Sequence, residues 1–360
     1  MWNHTGVAKQ LGIRYPIIQA GMAGITSPSL VAAVSNAGGL GTLGAGYMSR
    51  QEITSTISEI QRLTDKPFAV NLFVTQRAIA FSEQLQKVQT KLAPFRMDLG
   101  IDEPDAIDFD LQDLWEQVDA VLECNVPIVS FTFGIPSEEI MSRLFHAKVT
   151  LLGTATTVKE AMLLEDAGFH MVIAQGSEAG GHRATFESND DVPLIGSMSL
   201  IPQVVDQITL PVIAAGGIMD GRGIVAAMAL GAQAVQLGTA FLLTTESSAV
   251  SAYKKAVFDS HDESTIMTKL FSGKPARAIE NRFTKALHDL ESEVPPFPLQ
   301  NSLTNDIRKA ARQQGVADMM SLYAGQSSGI GRMMDAAQLI EILVQEVEAS
   351  DFRYREAQRD

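Results

Sequence analysis

The sequence predicts an α/β fold in which eight parallel strands close into a barrel, and three observations carry that expectation. Eight short apolar runs alternate with helical patterns from residue 16 to the early 240s, the rhythm of repeated strand-helix units with a parallel sheet. Most of the apolar runs end in small or amide-bearing residues, as loops at the C-terminal face of such a barrel require. A chain of 360 residues suits one barrel-sized domain with additions and buries about three quarters of the surface its unfolded form exposes.

The first strand is Pro16 to Ala20, ended by Gly21-Met22-Ala23-Gly24, and Ser27-Pro28 open a helix through Ala37. Gly38-Gly39 stop that helix. Leu40 to Leu43 form the second strand, Gly44-Ala45-Gly46 the next loop, and a helix runs from about Ser49 to Leu63. Phe68 to Leu72 is the third strand, with Asn71 near its end. Residues 75 to 124 depart from the rhythm: a helical stretch from Arg77 to Leu92, an acidic loop from Asp98 to Asp110 and a helix from Leu111 to Cys124 read as an insertion. Strands four and five follow at Pro127 to Phe131 and Lys148 to Leu152, with helices at Ser137 to Phe145 and Val158 to Ala167. Met171 to Ala174 is the sixth strand, Pro211 to Ala215 the seventh and Gln233 to Leu237 the eighth, with a helix from Gly221 to Leu230 between the last two. Right-handed crossovers place the helices outside, which gives a TIM (β/α)8 barrel. An extension from about 243 to 335 and a last helix near Ala336 to Glu348 are expected to supply a cap and the eighth helix, all within one domain.

Charge and composition narrow the function classes. Lys plus Arg number 28 against 42 Asp plus Glu, a net charge of -14, which argues against general binding to nucleic acid or anionic membranes. The N-terminus lacks a signal-peptide core and no apolar run is long enough to span a bilayer, so the expectation is a soluble cytoplasmic protein, compatible with a homo-oligomer. Cys124 is the only cysteine; it reads as a packed small residue. No HExxH, CxxC or clustered His/Asp set suggests a metal.

Chemistry concentrates after the sixth strand, in QGSEAGGHRATF. Gly176, Gly180 and Gly181 let the backbone turn and approach an anion or flat ring closely, beside Glu178, His182 and Arg183. Alone, the glycine pair reads as an ordinary turn and His182 as catalytic or structural with equal weight. Glu178 is expected to cap loop amides, and Arg183 to be solvent-exposed. Two further glycine motifs, AAGGI with Gly216 and Gly217 and QLGTAF with Gly238 and Thr239, end strands seven and eight, where barrels commonly hold a phosphate on backbone N–H groups. A ring attached through a ribityl-length chain would then cross the barrel mouth near Gly21, Met22, Asn71 and Gln175. A flavin fits, because its ring edge needs amide-like partners. The other five histidines are expected to be structural or exposed.

The run QGSEAGGHR at Gln175 to Arg183, with AAGGI at 214 to 218, ALGAQAVQLGTAFLLTTES at 229 to 247, SGKPAR at 272 to 277 and YAGQ at 323 to 326, resembles the nitronate monooxygenase family, formerly 2-nitropropane dioxygenase, in its bacterial class I form. The resemblance implies an FMN-containing TIM barrel that oxidises alkyl nitronates, such as propionate 3-nitronate, with O2 to a carbonyl compound and nitrite, through single-electron transfer to the flavin; detoxification is one role this suggests. It places FMN against Met22, Asn71, Gln175, Gly180, Gly181, Gly216, Gly217, Gln236, Leu237, Gly238 and Thr239 and makes His182 the active-site imidazole. Ala184 stands where the family usually has glycine. A second resemblance, to the FMN- and NAD(P)H-dependent enoyl-acyl-carrier-protein reductase of the FabK type, shares the AGGH signature; its acidic carrier partner would need a local basic patch, and no compact Lys/Arg cluster stands out in the sequence.

Overall fold

Side chains of a strand alternate between faces, and that alternation decides what lies inside this barrel. The computed structural model describes residues 2–75, 79, 82–104, 107, 112–187 and 193–357. The strands, in chain order, are β1 Ile17–Gln19, β2 Gly41–Gly44, β3 Phe68–Phe73, β4 Ile128–Thr132, β5 Thr150–Ala155, β6 Met171–Gln175, the two-residue β7 Gly181–His182, β8 Val212–Ala215 and β9 Ala234–Leu237. Without β7 they form one parallel sheet in the order β1-β9-β8-β6-β5-β4-β3-β2. The seam closes through the parallel bridge Ile18↔Leu40, where Leu40 N donates to Ile17 O and Gln19 N to Leu40 O, both at 2.9 Å. The architecture is the expected TIM barrel.

Inward residues at the bottom are apolar. Ile18, Leu40, Ala69, Ile128, Leu152, Met171, Ile213 and Ala234 form one buried cluster, plugged by Val7 and Leu11 of the N-terminal helix Gly6–Leu11. One step further along several strands, the register Gly44↔Asn71↔Ser130 and the neighbouring Thr154, Gln175 and Gln236 turn the interior polar. Outward residues such as Val70, Val129, Val172, Val235 and Leu237 pack under the helices in a second, larger core. The last helix, Ala336–Ala357, packs on Gly221–Ala229 and Pro28–Asn36, the helices that flank the β9–β1 pair, and is the eighth helix of the barrel.

The additions depart from expectation in detail. The insertion helix is Ser82–Leu99, so it runs through the start of the expected acidic loop, and Asp98 sits in its last turn, paired with Arg282; residues 105, 106 and 108–110 of that loop, and 77, 78, 80 and 81 of the expected Arg77 to Leu92 helix, lie outside the described residues. The fifth strand is shifted towards its C-terminal end because Lys148 adopts a left-handed φ of 58° in the preceding turn. The extension contains β10 Thr265–Thr268 and β11 Ala276–Ile279, which pair antiparallel with each other and, through β11, with β7. The sequence reading missed this second sheet, since β7 is a two-residue Gly-His strand whose partner lies more than ninety residues away.

Insertion and extension share a separate core, in which Val88, Leu92, Phe95 and Leu99 meet Phe271, Phe283, Leu303 and Ile307. One buried ion pair joins them: Arg96, 2% exposed, donates from Nε to Asp306 Oδ2 at 2.6 Å and from its second amino group to Leu303 O at 3.2 Å. Removing one partner of a buried pair leaves the other uncompensated. Arg96→Met is therefore expected to destabilise the cap by about 3 kcal/mol in denaturant unfolding, and a loss below about 1 kcal/mol would show the pair to be incidental.

Candidate active site

The polar top of the barrel opens into a cavity of about 460 Å3, within the range of small-molecule and cofactor sites. Of the expected site residues, Met22, Asn71, Gln175, Gly180, Gly181, His182, Gln236, Gly238 and Thr239 line it. Gly216 and Gly217 lie behind that lining, against Gly176, Ala179, Glu178 and Ser327. Leu237 points outward into the core beneath the helices, and its carbonyl accepts from Ala20 N at 2.9 Å.

Close backbone approach explains the glycines. A Cβ on Gly21 would come within 2.7 Å of Asn71 Cβ, so the first loop can cross the end of β3 only with glycine there. Gly216 and Gly217 take φ of 110° and 70°, left-handed conformations that favour glycine. A Cβ on Gly180 would meet the Ala324 carbonyl carbon and Gly325 N at 2.5 Å. The tail segment at Ala324 and Gly325 therefore lies directly on the loop that carries His182, and Gly325 N donates to Thr239 Oγ1 at 3.0 Å.

The carboxamides divide into free and engaged groups. Asn71 Nδ2 donates to Ser130 Oγ (2.9 Å) and Thr132 Oγ1 (3.0 Å), which leaves Oδ1 as an acceptor at the cavity. Gln175 works on its own loop: Nε2 donates to His182 O at 3.0 Å and Oε1 accepts from Ala184 N at 2.9 Å. No partner within the protein takes the Gln236 carboxamide among the described residues.

His182 sits at the cavity edge in β7, opposite Ala276 of β11. Its ring is enclosed by Phe133, Phe297 and Tyr323 at centroid distances of 5.6, 5.8 and 5.4 Å, and Nε2 lies 2.8 Å from Ser272 Oγ. Phe133 reaches the ring from a left-handed backbone, φ 76°, a strained conformation for a bulky residue. Burial first, then the positive charges of Lys274 and Arg308, hold the imidazole down at about 3, so it is neutral at physiological pH. Lys274, whose Nζ donates to Thr185 O at 2.9 Å and lies 4.7 Å from the Phe133 ring centroid, is itself lowered to about 8, chiefly by burial.

Two expectations about the loop resolve differently. Glu178 is the structural carboxylate expected: it accepts from Ser197 N and Oγ at 2.8 Å and so satisfies the N-terminus of the helix Ser197–Gln207. Arg183 is not solvent-exposed but 3% exposed, donating to the carbonyls of Gln175, Thr156 and Pro193. Three carbonyls that converge on one point need a fork of donors, and a guanidinium provides it. Sequence reading also assigned no role to Ser272, Lys274 or Tyr323, although SGKPAR and YAGQ marked their neighbourhoods. A basic cluster does form at the mouth: Arg308, Lys309 and Arg312 of the helix Asn305–Gln314 all line the cavity. Their i, i+1, i+4 spacing, read as helical, was the available signal.

A family model described as nitronate monooxygenase matches residues 5–346. The chain belongs to the nitronate monooxygenase family. It is accordingly an enzyme, an oxidoreductase. A probable nitronate monooxygenase from Staphylococcus saprophyticus is 49% identical over 344 residues, 95% of this chain and 97% of that one; one from Staphylococcus aureus (strain Newman) is 44% identical over 348 residues, covering 96% and 98%. Among solved structures, nitroalkane oxidase from Streptomyces ansochromogenes superposes with a TM-score of 0.89 at 39% identity over 96% of this chain and 99% of that one. FabK from Thermotoga maritima follows with a TM-score of 0.79 at 30% identity, covering 98% and 99%. Among the described residues no helix is long and apolar enough to cross a membrane.

The neutral imidazole of this family member has a consequence for pH. His182 ionises near 3 when folded and near 6.5 when unfolded, so between those values the unfolded chain binds more protons and stability falls as pH falls. Melting temperatures from pH 7 to 4 should therefore decline more steeply for the wild type than for His182→Gln; equal slopes would show that the ring ionises freely in the folded protein.

Proposed function

We propose that this protein binds FMN at the barrel mouth and oxidises alkyl nitronates with O2 to a carbonyl compound and nitrite. The observation that carries this reading is the combination in one cavity of a neutral imidazole, an open glycine-built edge and three cations from a single helix. The residues fit FMN. Gly216, Gly217, Gly238 and Thr239 offer backbone amides and a hydroxyl to a phosphate, and Gly217 holds a left-handed φ of 70° that a side chain would strain, with a Cβ there only 3.2 Å from Glu178 Cβ. Asn71 brings a free Oδ1 and Gln236 an unengaged carboxamide to a ring edge, Gly180 and Gly181 bring backbone, and Met22 an apolar surface. When bound, FMN supplies the redox chemistry that links nitronate oxidation to O2.

The chain's own residues bind and orient an anion. A nitronate is already deprotonated, so the site has to hold negative charge more than remove a proton. Arg308 donates to Thr304 Oγ1 at 3.0 Å and to Asn301 O at 2.7 Å, which fixes its guanidinium beside Tyr47, Tyr323 and His182. Arg312 donates to Gly24 O and Ser248 O and so straps the helix over the first loop. In a chain of net charge -14 this local positive field draws anions to the mouth, and a nitronate that also bears a carboxylate, such as propionate 3-nitronate, suits it. His182 adds a hydrogen-bonding group at the cavity edge in a low-dielectric surround.

The same cations favour one second reading, the FMN- and NAD(P)H-dependent enoyl-acyl-carrier-protein reductase, whose acidic carrier would meet them. Anaerobic mixing separates the two: a nitronate is expected to bleach the flavin absorbance while NADH and NADPH leave it unchanged, and rapid bleaching by either nicotinamide alone would transfer the assignment to the reductase. Gly217→Val strains a left-handed backbone, φ 70°, and presses on Glu178 and Ser327; by displacing the amides that would hold the phosphate it is expected to leave the purified protein colourless, and stoichiometric FMN in that variant would move the phosphate elsewhere.

A further inference from the structure

Arg308, Lys309 and Arg312 line the cavity mouth, and none of the residues that line this cavity is an aspartate or a glutamate. In a chain with 42 acidic and 28 basic side chains, three neighbouring cations without a carboxylate call for a cause. Arg312 spends both amino groups on the carbonyls of Gly24 and Ser248, at 3.0 and 2.7 Å. Arg308 uses Nε on Thr304 Oγ1 at 3.0 Å and one amino group on Asn301 O and Oδ1, at 2.7 and 2.9 Å. Its other amino group and the Lys309 ammonium have no partner within the protein among the described residues.

The helix Asn305–Gln314 does carry one carboxylate. Asp306 is its only acidic residue and stands three positions before Lys309, the spacing at which opposite charges meet on a helix surface. It is drawn the other way. Arg96, from the insertion helix Ser82–Leu99, takes Asp306 Oδ2 at 2.6 Å and Leu303 O at 3.2 Å, and because Arg96 is buried the pair belongs to the cap core and not to the rim. At the far end of the same helix Gln314 Nε2 donates to Leu99 O at 2.8 Å, so the insertion grips the cationic helix at both ends. An aspartate in a first turn suits a helix N-terminus with or without a partner. A buried arginine brought from 210 positions away does more, since it occupies the one carboxylate that could neutralise the neighbouring cations. Among the described residues, none of the insertion itself lines the cavity.

We infer that Arg96 is a positioning residue for substrate selection: it withdraws Asp306 from the mouth and so leaves Arg308 and Lys309 to hold a second negative group of the substrate, remote from the nitronate. This rests on the nitronate reading above. Arg308 is the specificity-determining residue of the two, because its guanidinium is anchored on Thr304 and Asn301 with one amino group still unpaired, whereas the exposed Lys309 adds field without geometry. The favoured substrates are then dianions with a carboxylate at one end and the nitronate at the other. Their preference is set by an insertion that touches neither end.

The test compares propionate 3-nitronate with propyl-1-nitronate, which has a methyl group in place of the carboxylate, on protein of equal flavin content. The wild type should favour the carboxylated substrate by about tenfold in kcat/KM; a ratio near one overturns the inference and leaves the functional reading standing. Arg308→Gln and Arg96→Met should each cut that ratio roughly fivefold, chiefly through KM for propionate 3-nitronate. Adding Asp306→Asn to Arg96→Met should restore it, and a ratio that stays low shows that Arg96 acts by packing alone, which overturns the inference. Should Arg96→Met fail to fold, Asn305→Asp puts a carboxylate at an exposed position of the mouth in otherwise intact protein and should cut the ratio likewise; an unchanged ratio overturns the inference. If neither nitronate is oxidised, the functional reading fails, and Arg308→Gln and Asn305→Asp are read by anaerobic titration of the flavin absorbance with 3-nitropropionate. Its Kd should rise roughly fivefold in both, and an unmoved Kd overturns the inference.

Discussion

No side chain fits between Gly180 and the peptide that joins Ala324 to Gly325, and much of the site depends on that contact. It locks the loop after β6 to a tail segment about 145 positions further along the chain. From there the geometry propagates in both directions: Gly181 and His182 run on as β7 into the small sheet with β11, while Gly325 N reaches Thr239 beside the last barrel strand. The loop behind His182 is held by buried charge as well. Arg183 gathers three carbonyls, and Glu160, fully buried, accepts from Thr156 N, Phe186 N and Glu187 N at 2.6 to 3.1 Å. An imidazole placed by so many satisfied backbone groups has little freedom to swing.

Electrostatics then divides the cavity into zones. The barrel floor is apolar, the next layer carries hydroxyls and carboxamides, and the rim carries cations. His182 lies between the last two. Its neutrality follows from packing: three aromatic rings take away much of the water that would solvate a charge, and Lys274 and Arg308 add repulsion. A neutral ring flanked by cations favours an anionic guest, because the positive field is not spent on a carboxylate of the protein.

The barrel was legible in the sequence because its strands are short, apolar and largely buried on both faces, and most are closed by small or amide-bearing residues; β3 and β6 were placed nearly to the residue on that basis. His182 and the lining glycines were legible for a related reason, as they follow directly on strand ends. What escaped depends on pairing over long sequence separations. Nothing local in Gly181-His182 marks a strand, and its partner at Ala276-Arg277 carries no alternating pattern to announce it. Arg183 looked like a surface residue because its three carbonyl partners come from three separate segments. The cations of Asn305–Gln314 looked dispersed until the helix turned them to one side, and Ser272 acquires meaning only from the ring it supports.

The division of the structure into a barrel core and a cap core has a temporal side. All eight barrel strands precede residue 238, but the segment that seats the His182 loop is Ala324–Gly325, and the helix that packs on Gly221–Ala229 and Pro28–Asn36 begins at Ala336. On the ribosome, at ~5–20 residues per second, roughly 4 to 20 s separate completion of the last strand from emergence of those residues. During that interval all eight strands have been made, but the His182 loop lacks the tail segment that seats it. The support on which His182 rests is therefore among the last parts of the chain to be made, although the histidine itself lies near its midpoint.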